Sequence, residues 1–428
     1  TQSEYVGDQG WKLADVYDKK ITPEQFLTQL SDEDLICMTR GEGMCSPKVT
    51  PGTAAAFGGV TDGLQQFGIP VACCSDGPSG IRMDCGTMAY ALPNGTLLAC
   101  TFDPELVEEL YEMEGMELRK NKIDSLLGPG INIHRNPLNG RNFEYFSEDP
   151  YHAGKMAAAY VKGIQSKGIS ACPKHFAANS QELRRMASDS VVDERTFREI
   201  YTTGFEIAVK EGKSKSIMSS YNEVNGVYAN ENRHMLQEIL VDEWGFDGYV
   251  VSDWGGSNDH ALGVMNGSHL EMPGTGKSGM RDIVRAVKDG TLPEEVLDQR
   301  LDELLNVVFA THQATEDAKE KQFDIEAHHK LARKAAEESI VLLKNEDGIL
   351  PVGAKVQAAI IGDFAFDPRY QGAGSSMVNS TKVDSIKDML ETSGISVTGI
   401  VRGYQRDGKE DEAMKKEAVD LARRSDVV

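Results

Sequence analysis

The sequence has 428 residues and a formal net charge of −22, because 67 acidic side chains outnumber 45 basic ones. A surface of this charge repels nucleic acid and anionic membranes, and no apolar run is long enough to span a bilayer, so we expect neither partner. Hydrophobic residues make up 40% of the chain, which is enough for a sizeable core.

The chain begins with an entry segment that contains two typical helix starts, Thr22–Glu24 and Ser31–Glu33. Residues 40–63 are rich in Gly, Pro, Thr and Ala, and this composition predicts a long loop. There are seven cysteines, and several lie in apolar runs such as Val71–Cys74. This usage favours free thiols in a reducing compartment over a disulfide framework, so we expect a cytoplasmic protein.

Short apolar runs that end in a polar residue and a turn recur along the first 300 residues. Each is typical of a buried strand, and helical periodicity follows most of them. The predicted strands are Ile69–Ser75, Thr96–Cys100, Ser125–Ile133, Ile169–Pro173, Ser216–Ser220, Tyr249–Val251 and His269–Pro273. This alternation predicts a TIM-like (β/α)8 barrel over residues 1–312, with its chemistry at the strand ends. The alternative is a doubly wound open sheet, which would gather its polar groups at one switch point.

The stretch Gly248–Gly256 carries the strongest candidate for chemistry. Its strand, Tyr249–Val251, is followed by Ser252 and Asp253, and two glycines then force a turn. A carboxylate is costly inside a sheet but not at its mouth, so Asp253 is the prime catalytic candidate. The structural alternative is an Asp that only caps the turn.

The chain after residue 312 predicts a second domain. Residues 313–325 are polar and charged, which indicates a linker. Residues 326–428 alternate helices and strands as an α/β sandwich would. The last residues, Asp426–Val428, start a new strand, so we expect this domain to be incomplete, with further strands following or supplied by a second chain.

The polar residues at the predicted strand ends combine acids, cations and aromatic rings. A sugar requires this mixture, since carboxylates and cations bind hydroxyls and a flat indole covers the apolar ring face. No phosphate-binding loop and no cluster of metal ligands is evident, so we expect no cofactor and no metal. The set is Asp76, Arg82, Arg135, Arg141, Lys174, His175, Tyr221, Asp253 and Trp254.

Seven motifs in a fixed order resemble those of glycoside hydrolase family 3 enzymes of the β-glucosidase type. The resemblance covers the chain from about Asp32 to its end. The motifs are Asp76–Arg82, Gly128–Ile133, Gly140–Glu144, Ser147–Pro150, Lys174–Phe176, Ser220–Asn222 and Ser252–Trp254. The resemblance implies a retaining, exo-acting β-glucosidase that removes terminal β-D-glucosyl residues from small glucosides or oligosaccharides. It implies a TIM-like barrel followed by an α/β sandwich.

The resemblance also assigns roles to individual residues. Asp253 would be the nucleophile, Trp254 would border the sugar, and Tyr221 and Met218 would lie beside the nucleophile. The loop Gln371–Ser376 resembles one that extends over the barrel mouth, which makes Ser375 a further substrate-binding candidate. The side chains that would bind the first sugar are Asp76, Arg82, Arg141, Lys174 and His175, together with Arg135.

The resemblance fails at the general acid and base. In β-glucosidase-type members this carboxyl comes from the second domain, beyond the residues present here. The branch that acts on N-acetylated amino sugars uses a His in the loop after Lys-His-Phe, but here that loop reads Ala177–Glu182. Glu144, Glu148, Glu182 and Glu271 are barrel carboxylates, and we interpret them as ion-pair partners or caps. We therefore expect a general acid Glu beyond residue 428 or on another chain.

Two other functions stay open. The same scaffold supports β-xylosidase and α-L-arabinofuranosidase activities, although Asp76 favours a sugar with a C6 hydroxymethyl group. The missing acid instead fits a non-hydrolytic sugar-binding fragment of a split enzyme. A homo-oligomer is compatible with either function.

Overall fold

The structure is a computed structural model that describes residues 5–319 and 324–428. The described residues form two compact units. The first runs to Ser339 and also includes Gly372–Asn379, and the second comprises residues 340–371 and 380–428. We call Gly372–Asn379 the strap.

The boundaries of these units differ from the predicted ones, which end the barrel at residue 312 and begin the second domain at residue 326. The predicted domain boundaries remain a prediction. Helix Ile325–Glu338 belongs to the first unit, where Ala332 and Ala335 are buried in its largest hydrophobic cluster. The predicted linker, 313–325, overlaps helix Glu294–Glu316, and residues 320–323 of it lie outside the described residues.

Twelve strands occur among the described residues. They are β1 (Ala55–Gly58), β2 (Val71–Asp76), β3 (Ser125–Leu127), β4 (Ser170–Ala171), β5 (Lys174–Phe176), β6 (Asp189–Ser190), β7 (Ser216–Ser219), β8 (Glu223–Val224), β9 (Val227–Tyr228), β10 (Tyr249–Val251), β11 (Gln357–Ile361) and β12 (Ser396–Val401).

The α-helices of the described residues are α1 (Leu13–Tyr17), α2 (Pro23–Thr28), α3 (Asp32–Met38), α4 (Asp62–Gln66), α5 (Gly95–Ala99), α6 (Pro104–Lys120), α7 (Pro150–Gln165), α8 (Glu194–Thr196), α9 (Thr203–Lys210), α10 (His260–Asn266), α11 (Lys277–Asp289), α12 (Glu294–Glu316), α13 (Ile325–Glu338), α14 (Ile386–Ser393) and α15 (Glu412–Ala422). Two further helical segments, Phe197–Thr202 and His234–Glu243, have π-helical hydrogen bonding.

The strands of the first unit form a closed ring. One sheet has the order β1-β2-β3-β4 and another the order β10-β7-β5, and a bridge between Gly130 and Lys174 joins them. On the other side, Val251 of β10 bridges to Leu270 and Glu271 bridges to Arg40. The amide of Glu42 then donates to the Ala56 carbonyl of β1, 2.7 Å away, which closes the ring. The first unit is therefore a TIM-like barrel.

Two sequence predictions were wrong. The predicted loop 40–63 contains β1 and the first two residues of α4, and β1 runs antiparallel to β2, whereas the other described barrel pairs are parallel. The predicted strand Thr96–Cys100 is helix α5, which begins because the Asn94 side chain accepts a hydrogen bond from the Leu97 amide, 3.0 Å away. An apolar run of this length fits a buried helix as well as a strand.

Apolar side chains fill both faces of the barrel wall. Inside, Phe57, Met218 and Tyr249 belong to one buried cluster. Outside, the barrel packs against the apolar faces of α6 and α7, which meet through the stacked rings of Tyr111 and Tyr160. Burial of this kind contributes about 25 cal/mol per Å² of apolar surface, so the strands that carry the polar strand-end residues are held firmly.

The second unit contains the α/β arrangement that the sequence predicts. Strands β11 and β12 are parallel, and Val427 bridges to Ala358 of β11. Leu421 of α15 is buried and lies 3.0 Å from the position that a Cβ on Gly399 would take. No helix of residues 5–319 and 324–428 has the length and hydropathy needed to cross a bilayer.

Candidate functional site

The candidate site lies at the carboxyl ends of the barrel strands, with Asp253 two residues beyond β10. The side chain of Asp253 is 11% exposed. Its Oδ1 accepts a hydrogen bond from the Trp254 amide at 2.7 Å. Its Oδ2 is buried and accepts no hydrogen bond from the described residues, and Nε2 of His175 lies 3.6 Å from it. A buried carboxylate oxygen without a donor is costly unless another group uses it, so this oxygen is the reactive candidate.

His175, in β5, is held on the side away from Asp253. The side-chain amide of Asn132 accepts from the His175 backbone N–H at 2.8 Å and donates to the His175 carbonyl at 2.9 Å, and its Oδ1 lies 3.2 Å from Nδ1. The hydroxyl of Tyr145 also lies 3.2 Å from Nδ1. Burial, together with the charges of Arg141 and Lys174, holds the pKa of His175 well below its usual range. The imidazole is therefore neutral and contributes a polar contact rather than a charge.

Asp76 ends β2 and faces two cations. Its carboxylate lies 3.6 Å from Lys174 Nζ and 3.7 Å from Arg82. Burial raises the pKa of Asp76, the two cations oppose this rise, and the charge of Asp253 adds to it. Arg82 also pairs with Asp84 at 2.8 Å. The two acids, Asp76 and Asp253, are therefore within electrostatic reach of each other and share a cationic surrounding, as hydroxyl-binding residues would.

Arg141 precedes a short 3-10 helix, Asn142–Glu144, that places two opposite charges together. The Nε of Arg141 donates to Oε1 of Glu144, whose side chain is almost fully buried. Burial opposes ionisation of Glu144, but the charges of Arg141 and Lys174 prevail and lower its pKa. Glu144 is therefore an anion at neutral pH and is unsuited to donate a proton, which confirms the interpretation of this carboxylate as an ion-pair partner.

Tyr221 follows β7 and borders the Asp253 turn. Its hydroxyl donates to the Trp254 carbonyl at 2.9 Å. Burial raises the pKa of Tyr221, and the Asp253 carboxylate raises it further, so the phenol stays protonated. The guanidinium of Arg185 lies 4.4 Å from the centre of the Tyr221 ring, and Arg185 pairs with Glu182 at 2.9 Å. This places a cation–π pair on the same side of the site.

The other site residues predicted from the sequence are Met218, Ser375 and Arg135, and they lie in three different parts of the first unit. Met218 lies in β7, paired in register with Val251 and Lys174, and packs with Trp254 in the inner cluster. Ser375 lies in the strap and is half-buried. Arg135 is exposed, and no hydrogen bond or ion pair of the described residues connects its guanidinium to the other candidates. The structure thus brings all of the candidates except Arg135 to the barrel mouth or to the strap.

Sequence reasoning missed three residues of the site, Asn132, Tyr145 and Arg185. Asn132 lies within the Gly128–Ile133 motif and Tyr145 directly follows the Gly140–Glu144 motif, but neither side chain was assigned a role from the sequence. Arg185 lies ten residues after His175, in a loop without a periodic signal. For Asn132 the position directly after an apolar run, as for Asp253, was a usable signal.

The other carboxylates considered in the sequence analysis are hydrogen-bonded, ion-paired or exposed. Glu271 is buried and accepts hydrogen bonds from the Thr275 amide and hydroxyl at 3.1 and 3.0 Å. Glu182 is paired with Arg185, and Glu148 is exposed. Within residues 5–319 and 324–428, no group of three or more His, Cys, Asp or Glu side chains is arranged to hold a metal ion. The arrangement offers one reactive carboxylate among hydroxyl-binding groups, which suits nucleophilic attack on a sugar.

Comparison with known proteins points in one direction. Residues 56–307 match the glycosyl hydrolase family 3 N-terminal domain, and residues 340–428 match the C-terminal domain of the same family. A β-glucosidase of Ruminococcus albus is 49% identical over 322 residues, which are 73% of this chain and 34% of the relative. The thermostable β-glucosidase B of Acetivibrio thermocellus is 46% identical over 382 residues, 86% of this chain and 50% of the relative.

Solved structures agree with these relatives. The crystal structure of a Bifidobacterium adolescentis GH3 β-glucosidase superposes with a TM-score of 0.85 at 39% identity, over 94% of this chain and 57% of that one. The chain spans half or less of the length of the two curated relatives described above.

Proposed function

The chain belongs to glycosyl hydrolase family 3, and on this basis we propose that it acts as a retaining β-glucosidase with Asp253 as the nucleophile. One observation carries the proposal: Asp253 has a buried carboxylate oxygen that accepts no hydrogen bond from the described residues. The names of the relatives, both β-glucosidases, support the choice of sugar.

In this proposal, Oδ2 of Asp253 attacks the anomeric carbon while the bond from that carbon to the leaving-group oxygen breaks. A general acid gives its proton to the departing oxygen, and a covalent glycosyl ester on Asp253 remains. Water then attacks the same carbon, the conjugate base of that acid takes its proton, and the ester bond breaks. The sugar leaves with its original anomeric configuration, and both carboxyl groups return to their starting states.

The neighbouring residues would bind the sugar. We assign the hydroxyls to Asp76, Arg82, Arg141, Lys174 and His175, and the ring face to Trp254. A hydrogen bond that a sugar hydroxyl donates to the Asp76 carboxylate strengthens as positive charge develops on the ring and the hydroxyls become more acidic. The strap contributes Ser375. Arg135 keeps no role in this proposal, because it is exposed and no described contact links it to the other candidates.

We place the general acid and base on polypeptide outside the described residues, of this chain or of a second one. The support is chemical. Retention requires a second carboxyl about 5–5.5 Å from the nucleophile. Glu144 is held ionised by Arg141, and Glu182 and Glu271 are engaged by Arg185 and Thr275. Each of these three carboxylates therefore already serves another contact.

A mechanism-based label tests the proposal directly. A 2-deoxy-2-fluoro-β-glucoside with a dinitrophenyl leaving group should form a stable adduct, because the fluorine slows hydrolysis of the glycosyl ester more than a leaving group that needs no proton slows its formation. Peptide mass spectrometry should find the added mass on Asp253. An adduct on any other residue would reassign the nucleophile, and no adduct would refute a retaining mechanism.

The β-xylosidase and α-L-arabinofuranosidase alternatives differ from β-glucosidase activity in the sugar that the site prefers. Asp76 lies beside two cations at the mouth of the site, which suits a C6 hydroxymethyl group. Aryl β-glucoside should therefore react faster than aryl β-xyloside or α-L-arabinofuranoside. A reversed order of kcat/KM would favour the xylosidase or arabinofuranosidase alternative.

We further propose a cytoplasmic location. All seven cysteines lie in the described part of the chain and are unpaired, and Cys45, Cys85 and Cys100 are exposed. Exposed thiols persist best in a reducing compartment. Fractionation of cells that produce the native protein tests this placement.

A further inference from the structure

The strap is seated on the barrel at both of its ends. At Gly372 an added Cβ would lie 2.1 Å from the Phe143 ring, so the backbone packs directly on that ring. At the other end Asn379 donates to the Met83 carbonyl at 2.7 Å and accepts from the Ala89 amide at 2.8 Å. Between these anchors the strap carries Ser375 and a neighbour that sequence reasoning left without a role, Ser376.

Ser376 is more deeply placed than Ser375. It is 1% exposed, and its Oγ has no hydrogen-bond partner of good geometry among the described residues. A buried hydroxyl without a partner costs about 1–3 kcal/mol, so it is expected to find one within reach. The anion beside it is Glu144, and the Ser376 hydroxyl is among the groups that lower the pKa of that carboxyl.

Glu144 has a buried acceptor atom that could receive this hydrogen bond. Its Oε1 accepts from Arg141, while its buried Oε2 has no partner of good geometry among the described residues. The residue has little room to move, because a Cβ on Gly95 would meet the Glu144 carbonyl at 2.3 Å and one on Gly130 would meet its side chain at 3.4 Å. Ser376 Oγ and Glu144 Oε2 are thus both buried without a partner among the described residues, and the strap packs at Gly372 on Phe143, the residue before Glu144.

We propose that Glu144 is a positioning residue that accepts a hydrogen bond from Ser376 through Oε2 while it holds Arg141 through Oε1. The strap and the sugar-binding guanidinium are then attached to the two oxygens of one carboxylate. Glu144 itself touches no substrate. It acts through Arg141, and this role rests on the proposed function because Arg141 is assigned there to a sugar hydroxyl.

The proposal makes the strap and Arg141 interdependent. With the strap in place, Ser376 fixes the plane of the Glu144 carboxylate, and that plane sets the direction in which Arg141 points. Loss of the Ser376 hydroxyl should loosen both the strap and the guanidinium. A fixed donor raises affinity by lowering the ordering cost of binding, so the loss should raise KM for glucosides.

The decisive variant is Ser376→Ala, because it removes one hydroxyl and little volume. We expect the amides of residues 372–379 to exchange with deuterium at least 10-fold faster and KM for an aryl β-glucoside to rise about 3–10-fold, with kcat changed less. Ser376→Thr keeps a hydroxyl and should restore both values. Glu148→Gln, which alters an exposed carboxylate nearby, is the matched control and should change neither.

Coupling is measured by adding Glu144→Ala. If the two residues share a bond, Ser376→Ala should have less than a 2-fold further effect on strap exchange in that background. If Glu144→Ala fails to fold, strap exchange in the two variants Ser376→Ala and Ser376→Thr still tests whether the Ser376 hydroxyl holds the strap. Unchanged strap exchange in Ser376→Ala, or failure of Ser376→Thr to restore it, overturns the proposal. The exchange measurement needs no turnover, so a protein without β-glucosidase activity would refute the proposed function and leave the strap contact testable.

Discussion

Nε2 of His175 lies 3.6 Å from Oδ2 of Asp253, the oxygen of that carboxylate that accepts no hydrogen bond from the described residues. Because burial and neighbouring cations hold the pKa of His175 well below its usual range, the imidazole gives this oxygen a polar neighbour rather than a positive charge. Positive charge near His175 comes instead from Lys174 and Arg141, and neither of them donates a hydrogen bond to Oδ2. A nucleophile needs this combination of charge and freedom.

Asp253→Ala should abolish turnover of aryl β-glucosides and leave the fold intact. The variant lacks the atom that forms the glycosyl bond, so kcat should fall by several orders of magnitude, about 10⁴-fold or more. Steady-state kinetics and thermal unfolding measure the two effects separately. Asp247→Ala, at an exposed carboxylate ahead of the same strand, serves as the control and should retain full activity. A tenth of the original rate in Asp253→Ala would rule out this nucleophile.

Lys174→Met should slow turnover through the transition state. The ammonium lies 3.6 Å from Asp76 and is buried, and a charged donor to a sugar hydroxyl contributes about 1.5–3 kcal/mol, so kcat/KM should fall about 10- to 150-fold. Methionine keeps most of the buried stem. Arg141→Leu should show a loss of the same order. If kcat/KM is unchanged in both variants, these cations do not face the sugar.

The stability of the barrel should fall as pH rises through neutrality, partly because of Glu117. Burial raises the pKa of Glu117 from 4.5 to about 7, while its carboxylate accepts a hydrogen bond from the Tyr90 amide. The folded state therefore binds the proton more tightly, so the contribution is complete below pH 4.5 and is lost as pH rises through 7. The full loss is about 3 kcal/mol.

Glu117→Gln should remove this dependence. The free energy of unfolding, measured with a denaturant at pH 5 and pH 8, should fall less between these values in Glu117→Gln than in the unaltered protein. Glu109→Gln, at an exposed position of the same helix, should behave like the unaltered protein. An identical pH dependence in Glu117→Gln would show that Glu117 is ionised throughout.

Residues 1–428 alone should discriminate strongly between leaving groups. Dinitrophenol departs without a proton, so formation of the glycosyl ester on Asp253 needs no general acid. Cellobiose requires that proton and should be cleaved very slowly. The ratio of the two rates in the first turnover is the measurement, and addition of the general-acid polypeptide should lower it. Efficient cleavage of cellobiose by residues 1–428 would place the acid among the described residues and direct attention to Glu182.

Most of the site could be predicted from the sequence because its residues lie at the ends of strands. Asp76, Lys174, Tyr221 and Asp253 each follow or end an apolar run, and parallel strands bring such positions to one rim. Tyr145 was not predictable in this way, because it reaches His175 from a loop whose path depends on tertiary packing. The role of Ser376 was also not predictable, because the sequence does not show which of the adjacent residues Ser375 and Ser376 is buried. The antiparallel β1 was missed because its glycine- and alanine-rich surroundings predict a loop.

The bridge between Arg40 and Glu271 has a consequence for how the protein is made. Arg40 lies in the first segment of the ring along the chain, and its partner Glu271 lies in the last. The partner is absent until that last segment leaves the ribosome, so the barrel cannot close during most of its synthesis. Pairings between residues this distant in the chain carry a large entropic cost and slow the folding of a domain. Closure should therefore be a late event, and until then the exposed edge of the Arg40–Glu42 segment makes the nascent chain a candidate for chaperone binding.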